Sequence, residues 1–235
     1  MANLSTMPSI DCACQSTTQI NQTLRTAARD KVPAVELLNP HSRHNLGVCI
    51  TEPIHLHFRG SVGYYAVSIC DGVTADIAGS TGWGLAENLM QGEVLVRGNA
   101  SSAAAASLHG GRVVITGSAG PRCGIGLKGG EVIIGGDAGY MTGFMMQKGR
   151  IVICGNAAAA MGDSIYDGAI FLGGHAAELG NGLKQVDVDP EELDSIQALL
   201  DRYDIKPPRL FRKFISDGSL RNFKKESFEV WKEIL

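Results

Sequence analysis

GGRVVITGSAG (residues 110–120), GGEVIIGGDAG (129–139) and KGRIVICGNAA (148–158) are three copies of one phrase, each beginning nineteen residues after the last. Extending the register both ways places Gly60, Gly79, Gly98, Gly117, Gly136, Gly155 and Gly174 at one position of the phrase, without insertion or deletion. A fixed period near twenty residues is the signature of a solenoid, in which each repeat stacks on the one before.

The remaining positions line up as columns. Leu56, Ala75, Val94, Val113, Val132, Ile151 and Ile170 form one apolar column. Phe58, Ile77, Val96, Ile115, Ile134, Ile153 and Leu172 form another two residues later, so both lie on one face of a strand. Cys70, Leu89, Leu108, Leu127, Met146 and Ile165 make a third apolar edge, and Val62, Thr81, Ala100, Ala119, Ala138, Ala157 and Ala176 a narrow corner of small residues. The β-branched runs alternate at period two and end in Gly-Ser-Ala-Gly-type turns, which excludes helix. The expected fold is all-β: a right-handed parallel β-helix of about seven 19-residue coils, with small helical caps and arms at both ends. At about 4.8 Å per coil the rod is roughly 34 Å long.

The glycines have a mechanical role. They precede a polar column, Ser61, Ser80, Asn99, Ser118, Asp137, Asn156 and His175, whose short side chains can bond the turn backbone. Stacked turns need left-handed backbone or close approach, and glycine supplies either. A second glycine column, Gly92, Gly111, Gly130, Gly149 and Gly168, starts the strands. A phosphate loop would need its glycines to open onto a helix, and these do not.

One column is wrong for a free-standing rod. Leu95, Val114, Ile133, Val152 and Phe171 alternate with the inward columns and so face outward, yet all are large and apolar. The stripe requires a cover, either the chain's own C-terminal arm or another protein. The neighbouring outward column, Thr74, Glu93, Arg112, Glu131 and Arg150, is polar.

Three segments follow: 1–52, an N-terminal helix and capping strands; 53–186, the β-helix; 187–235, a C-terminal helix and partner-binding arm. STTQINQTLRTAARD (16–30) has a Ser/Thr cap and helical apolar spacing. AVELLN and HNLGVCI read as strands around Asn39-Pro40-His41 that close off the first coil. Asp189-Pro190-Glu191-Glu192 starts a helix with Leu193, Ile196, Leu199 and Leu200 on its apolar face. The last stretch, RLFRKFISDGSLRNFKKESFEVWKEIL, is too apolar for a free tail and is expected to wrap onto this chain or a partner.

A net charge of -3 and a pI near 6.1 give no reason to expect nucleic acid or an anionic membrane as partner. No apolar run approaches membrane-spanning length, and MANLSTMPSIDCACQ lacks the features of a signal peptide. The six cysteines are scattered, which suits reduced thiols in a cytoplasmic protein.

Few groups suggest chemistry. His55-x-His57 is a weak metal signal that lacks further ligands beyond Asp76 and Thr74. Glu87 and Asp163 break a column otherwise made of Ser68, Ala106, Ile125 and Phe144, but lie four coils apart, about 19 Å, too far to act as an acid–base pair. No catalytic, cofactor-binding or metal-binding residue is therefore expected. Glu87, Arg122, Lys128, Asp163 and Tyr166 are the candidates for contact with a partner, together with Leu95, Val114, Ile133, Val152 and Phe171 of the stripe.

Five runs carry a family resemblance: Gly60–Tyr65, Gly82–Asn88, Gly120–Ile125 with Leu127–Gly130, Met141–Met145 and Gly162–Tyr166. In this order they resemble the GXGXG β-helix domain of the glutamate synthase large subunit, and more narrowly the stand-alone GXGXG subunit of N-methylglutamate synthase (methylamine–glutamate N-methyltransferase). The resemblance covers residues 17–223 and includes Ser219-Leu220-Arg221-Asn222-Phe223. The chain departs from the pattern where Ser101–Ala106 and Ala157–Ala160 replace expected glycines.

The resemblance implies a non-catalytic subunit of a cytoplasmic hetero-oligomer. Its partners would be an amidotransferase-like subunit and an FMN-binding glutamate-synthase-like subunit, with FMN and an iron–sulfur cluster in the latter and no cofactor in this chain. The chain begins Met1-Ala2-Asn3, without the N-terminal cysteine nucleophile of an amidotransferase. Three other readings stand beside it, of which one is a subunit of another glutamate-synthase-like amidotransferase. The β-helix subunit of formylmethanofuran dehydrogenase shares the architecture. A polysaccharide lyase or hydrolase would need carboxylates and basic residues clustered on one outer sheet.

Overall fold

The computed structural model describes residues 7–219, and everything structural below refers to those residues. One eleven-stranded sheet runs the length of the molecule in the order β1-β2-β3-β4-β5-β6-β7-β8-β9-β11-β10. Its strands are β1 (Ser9–Asp11), β2 (Ala34–Leu38), β3 (Ile54–Phe58), β4 (Val73–Ile77), β5 (Gly92–Val96), β6 (Arg112–Ile115), β7 (Glu131–Ile134), β8 (Arg150–Ile153), β9 (Ala169–Leu172), β10 (Leu183–Val186) and β11 (Arg212–Ser216). From β3 to β9 the pairing is parallel with a constant offset of nineteen, as in Val94↔Val113↔Val132. The fold is the expected all-β parallel solenoid with a 19-residue repeat.

A second line of parallel bridges stacks the small corner residues from Val62 to Ala176. Between these two lines the inward columns close a continuous dry core, whose Leu56, Val94, Val132, Leu89 and Leu127 are fully buried. At about 25 cal/mol per Å2 of apolar surface removed from water, this core is the main stabilising term.

The polar column forms a ladder. The side-chain oxygens of Ser61, Ser80, Asn99, Ser118, Asp137 and Asn156 each accept the backbone N–H of the same position one coil on, at 2.6–3.1 Å. This gives the preceding glycines their reason. Apart from Gly60, that column does not use left-handed φ. A Cβ on Gly98 would lie 2.6 Å from Ser80 Oγ, and one on Gly136 would lie 2.5 Å from Ser118 Oγ. Close approach, not backbone handedness, excludes a side chain there. In the second column the two reasons combine: Gly130 has φ +70°, and its Cβ would meet the carbonyl oxygen of Gly111 at 2.5 Å.

Both ends are closed by the chain. At the first, α1 (Thr17–Arg29) carries a capping box between Ser16 and Gln19 and buries Ile20, Leu24 and Ala28 in the core. Its buried Asn21 donates to Asn45 O at 2.7 Å and accepts the Gly47 N–H at 2.8 Å. The segment HNLGVCI, expected as a strand, is not one. It is the turning half of an additional coil that starts with β2, with left-handed backbone at Asn45, Gly47 and Cys49 and with Leu46 and Ile50 facing the core. Its period-two spacing therefore has a different origin from that of a strand.

At the other end, α2 (Pro190–Arg202) has Asp189 as its cap, Pro190 in its first turn and a capping box with Glu192. It lies on the outward stripe. Val114, Ile133, Val152 and Phe171 form a second buried cluster with Ile196, Leu200, Tyr203, Ile205 and Phe211, and Leu95 packs at its margin. Beside the cluster runs a ladder of alternating charge: Arg112 reaches Glu93 at 3.3 Å and Glu131 at 2.6 Å, and Arg150 bonds Glu131 from the other side. It also holds the helix segment, since Arg202 pairs with Glu93 at 3.0 Å and Arg112 donates to the Tyr203 hydroxyl at 3.2 Å.

The tail then returns as β11, antiparallel to both β9 and β10. It puts Phe214 into the main core and seals the last coil. The C-terminal segment up to Ser219 thus wraps onto this chain; Leu220, Arg221, Asn222, Phe223 and the residues after them lie outside the described part.

Candidate functional site

All five motif runs reach one left-handed edge of the solenoid, through Tyr65 and residues 84–88, 122–126, 141–145 and 162–164, whereas Gly60, Ser61 and Val62 belong to the turn, the polar ladder and the small corner, and Gly129 and Gly130 lead into β7. Along this edge alternate residues take left-handed backbone: Tyr65, Val67 and Ile69 in one coil, Gly84, Ala86 and Asn88 in the next, and Arg122, Gly124 and Gly126 two coils further on. The alternation turns successive N–H groups toward opposite neighbours. Tyr65 N–H donates forward to Trp83 O at 2.7 Å, Val67 back to Leu46 O at 3.0 Å, and Ile69 forward to Glu87 O at 2.8 Å. Hydrogen bonds in both directions hold β-branched residues at φ 55° and 56°, a conformation that costs on the order of 1–3 kcal/mol each. The edge is therefore rigid, and Ala103 and Ala105 adopt the same geometry where glycines were expected.

The candidate contact residues are spread along this edge and its neighbour sheet. Glu87 is half-buried and lines a cleft of about 300 Å3 with Asn45, Val48, Cys49, Tyr65, Ser68, Ile69 and Asn88. Its carboxylate has no hydrogen bond or ion pair among the described residues. Asp163, in the same column four coils on, is instead taken up within the chain. It accepts the Ser164 hydroxyl at 2.6 Å and both the N–H and the side-chain amide of Asn181. The Ser164 hydroxyl first, and Asn181 with it, hold the Asp163 carboxyl below its ordinary value. Its role is to anchor this chain's own last loop. Arg122 and Lys128 are exposed and Tyr166 is half-buried. The fold does not gather these five residues into one site. The stripe residues Val114, Ile133, Val152 and Phe171 lie beneath α2, which removes them from any surface open to a partner.

The other ionisable groups form no reactive constellation. Among the described residues no three His, Cys, Asp or Glu side chains are grouped so as to hold a metal ion. The His55 and His57 rings stack at 4.0 Å, and burial first, with His57 second, pushes the His55 imidazole below its ordinary value. All six cysteines are free. Burial pushes the thiols of Cys70 and Cys154 up to about 11 and that of Cys123 up to about 12, so they are poor nucleophiles. No helix among the described residues is long and apolar enough to cross a membrane.

The sequence reading missed the exposed aromatics beside Glu87. His44, Tyr64 and Trp83 stack across three successive coils, with centroids 4.2 and 5.3 Å apart. The signal was present: Tyr64 and Trp83 share a register position, as does Tyr140, and all three are exposed.

No family model matches the chain. A curated relative, Protein GlxC of Rhizobium meliloti (strain 1021), is 36% identical over 91 residues. The aligned stretch is 38% of this chain and 40% of GlxC, less than half of either. Over that stretch the chain is similar to GlxC.

Proposed function

We propose that this chain is a non-catalytic structural subunit of a glutamate-synthase-like FMN complex. It bridges an amidotransferase-like subunit and an FMN-binding synthase subunit and fixes their separation. The complex makes N-methylglutamate from glutamate and methylamine. The observation that carries this reading is that all five GXGXG-type runs contribute residues to one rigid, alternately left-handed edge. The spread of the candidate contact residues along several coils suits a bracing role, which needs an extended surface and no single site. The similarity to GlxC is consistent with this reading and does not name the reaction. The partners hold the flavin and the iron–sulfur cluster.

The test is to supply the purified chain alone, and then its native complex, with glutamate and methylamine. Turnover by the complex but not by the chain supports the reading; turnover by the chain alone overturns it. The absorption spectrum of the complex separates this machine from a formylmethanofuran-dehydrogenase type: flavin supports the first, and tungsten or molybdenum the second. The lyase reading is disfavoured by the covered stripe, because α2 occupies much of the outer sheet where a polysaccharide would lie.

A further inference from the structure

Five large apolar side chains remain exposed on two adjacent coils: Tyr64, Tyr65, Ile69, Trp83 and Met90, with Ile69 59% and Trp83 52% accessible. Single exposed hydrophobes are ordinary, but a cluster on a rigid surface marks an interaction site. Tyr65 and Ile69 line the cleft of about 300 Å3 that holds Glu87, while Tyr64 and Trp83 stack on one another in the same two coils. No cationic side chain lines that cleft, and the Glu87 carboxylate has no partner among the described residues. On the outer face of the strand sheet, by contrast, the charges are paired: Asp76 with Arg97, Glu36 with Arg59, and Glu93 and Glu131 with Arg112.

We propose that this patch is a docking socket for a partner protein that inserts a basic side chain against Glu87, with its aliphatic stem against Tyr65 and Ile69. The inference rests on the subunit reading and specifies the chemistry of one of its interfaces. The charge pattern selects the occupant. A second copy meeting this patch through a two-fold axis would bring the same surface, with a second Glu87 and no cation from the cleft lining. A lysine or arginine supplies the missing charge, and its methylene stem suits an apolar wall. The rigid backbone under Tyr65 and Ile69 favours docking further, because the socket loses little conformational freedom when it is filled. A basic side chain seated there would be shielded from water by Tyr65 and Ile69, as the anchors of interface hot spots are shielded by their surround.

The experiment uses the full chain in its native complex. Re-association of the tagged chain with its co-purified partners is measured for the wild type, Glu87→Gln and Ile69→Asp, with thermal unfolding of each free chain as a folding control. Both substitutions are expected to weaken association roughly tenfold or more while leaving the unfolding midpoint in place. Carbodiimide treatment of the intact complex is expected to join Glu87 to a partner lysine; a Glu87→Gln loss without such a cross-link identifies arginine. Association within twofold of wild type for both variants overturns the socket while leaving the subunit reading standing. A free chain that dimerises through this patch, and is made monomeric by Ile69→Asp, overturns it in favour of a second copy. A chain that purifies without companions overturns the socket and the subunit reading together.

Discussion

Ser80 Oγ accepts the backbone N–H of Asn99 at 3.1 Å, and a methyl group on Gly98 would sit 2.6 Å from that same oxygen. The glycine and the polar residue of the preceding coil are thus two halves of one device. The glycine leaves the space that the preceding side chain fills. Replacing Gly98 with alanine should cost about 1–3 kcal/mol through overpacking. Ser80→Ala alone should cost about 0.5–1.5 kcal/mol for the lost hydrogen bond. The double variant should lose less than the sum, because removing the hydroxyl relieves the clash. Urea denaturation of the four proteins measures the coupling; strict additivity would show that the glycine is there for another reason.

That coupling explains why so much of the fold is legible in the sequence. The fixed period and the strand columns follow from a core that repeats every coil. The helices announce themselves through Ser16 with Gln19 and through Asp189-Pro190 with Glu192. Three features stayed hidden for physical reasons. The coil containing Asn45, Gly47 and Cys49 mimics a strand, because alternate left-handed residues also give period two. The strand β11 runs antiparallel and breaks the repeat, so no column foretells it. Left-handed Val67 and Ile69 defy local propensity, held by hydrogen bonds to the coils on either side. At the site, Glu87 was legible as a break in its column, whereas the aromatic position of Tyr64, Trp83 and Tyr140 is interrupted by Ser102 and Pro121 and forms no continuous column.

The charge ladder on the outer sheet predicts an acid limit for helix docking. Burial pushes the Glu131 carboxyl up, but Arg112 and Arg150 together bring it below its ordinary value of 4.5. A carboxyl depressed in the folded state stabilises above its unfolded value and loses that contribution as pH falls through the folded one. Attachment of α2 should therefore weaken below about pH 4.5. Arg112→Ala should weaken it already at neutral pH, because Glu131 and Tyr203 lose a common partner. Amide exchange across residues 190–203, followed between pH 3 and 7, should show the helix opening before the strands. Simultaneous opening would contradict a charge ladder that holds the helix.

Ile196 and Leu200 are the buried contacts of α2 with the stripe, at 1% and 0% exposure. Leu200→Ala should destabilise by about 2–5 kcal/mol and expose Val152 and Phe171. Dye binding and oligomer size should rise together, since an uncovered apolar stripe is sticky. An unchanged monomer with unchanged stability would mean that the helix is not the cover.

The thiols give an alkaline counterpart. Cys14 and Cys49 are exposed, whereas Cys12, Cys70, Cys123 and Cys154 are buried. Under native conditions iodoacetamide should label the first two only, as read by peptide mass spectrometry. Cys123 titrates at about 12 in the folded chain against an ordinary 9.0. A thiol raised on folding stabilises fully below the unfolded value and loses that contribution as pH rises above it. Stability should fall as pH rises past 9, and Cys123→Ala should flatten that fall. Native labelling of Cys123 would contradict the closed core.

A rod that braces other subunits should travel with them when the complex is isolated. Native mass spectrometry of the tagged chain, purified from its source at low salt, tests it most directly. The expected result is one assembly that holds this chain, at least two other polypeptides and bound flavin. A chain that flies alone or only with copies of itself would contradict it.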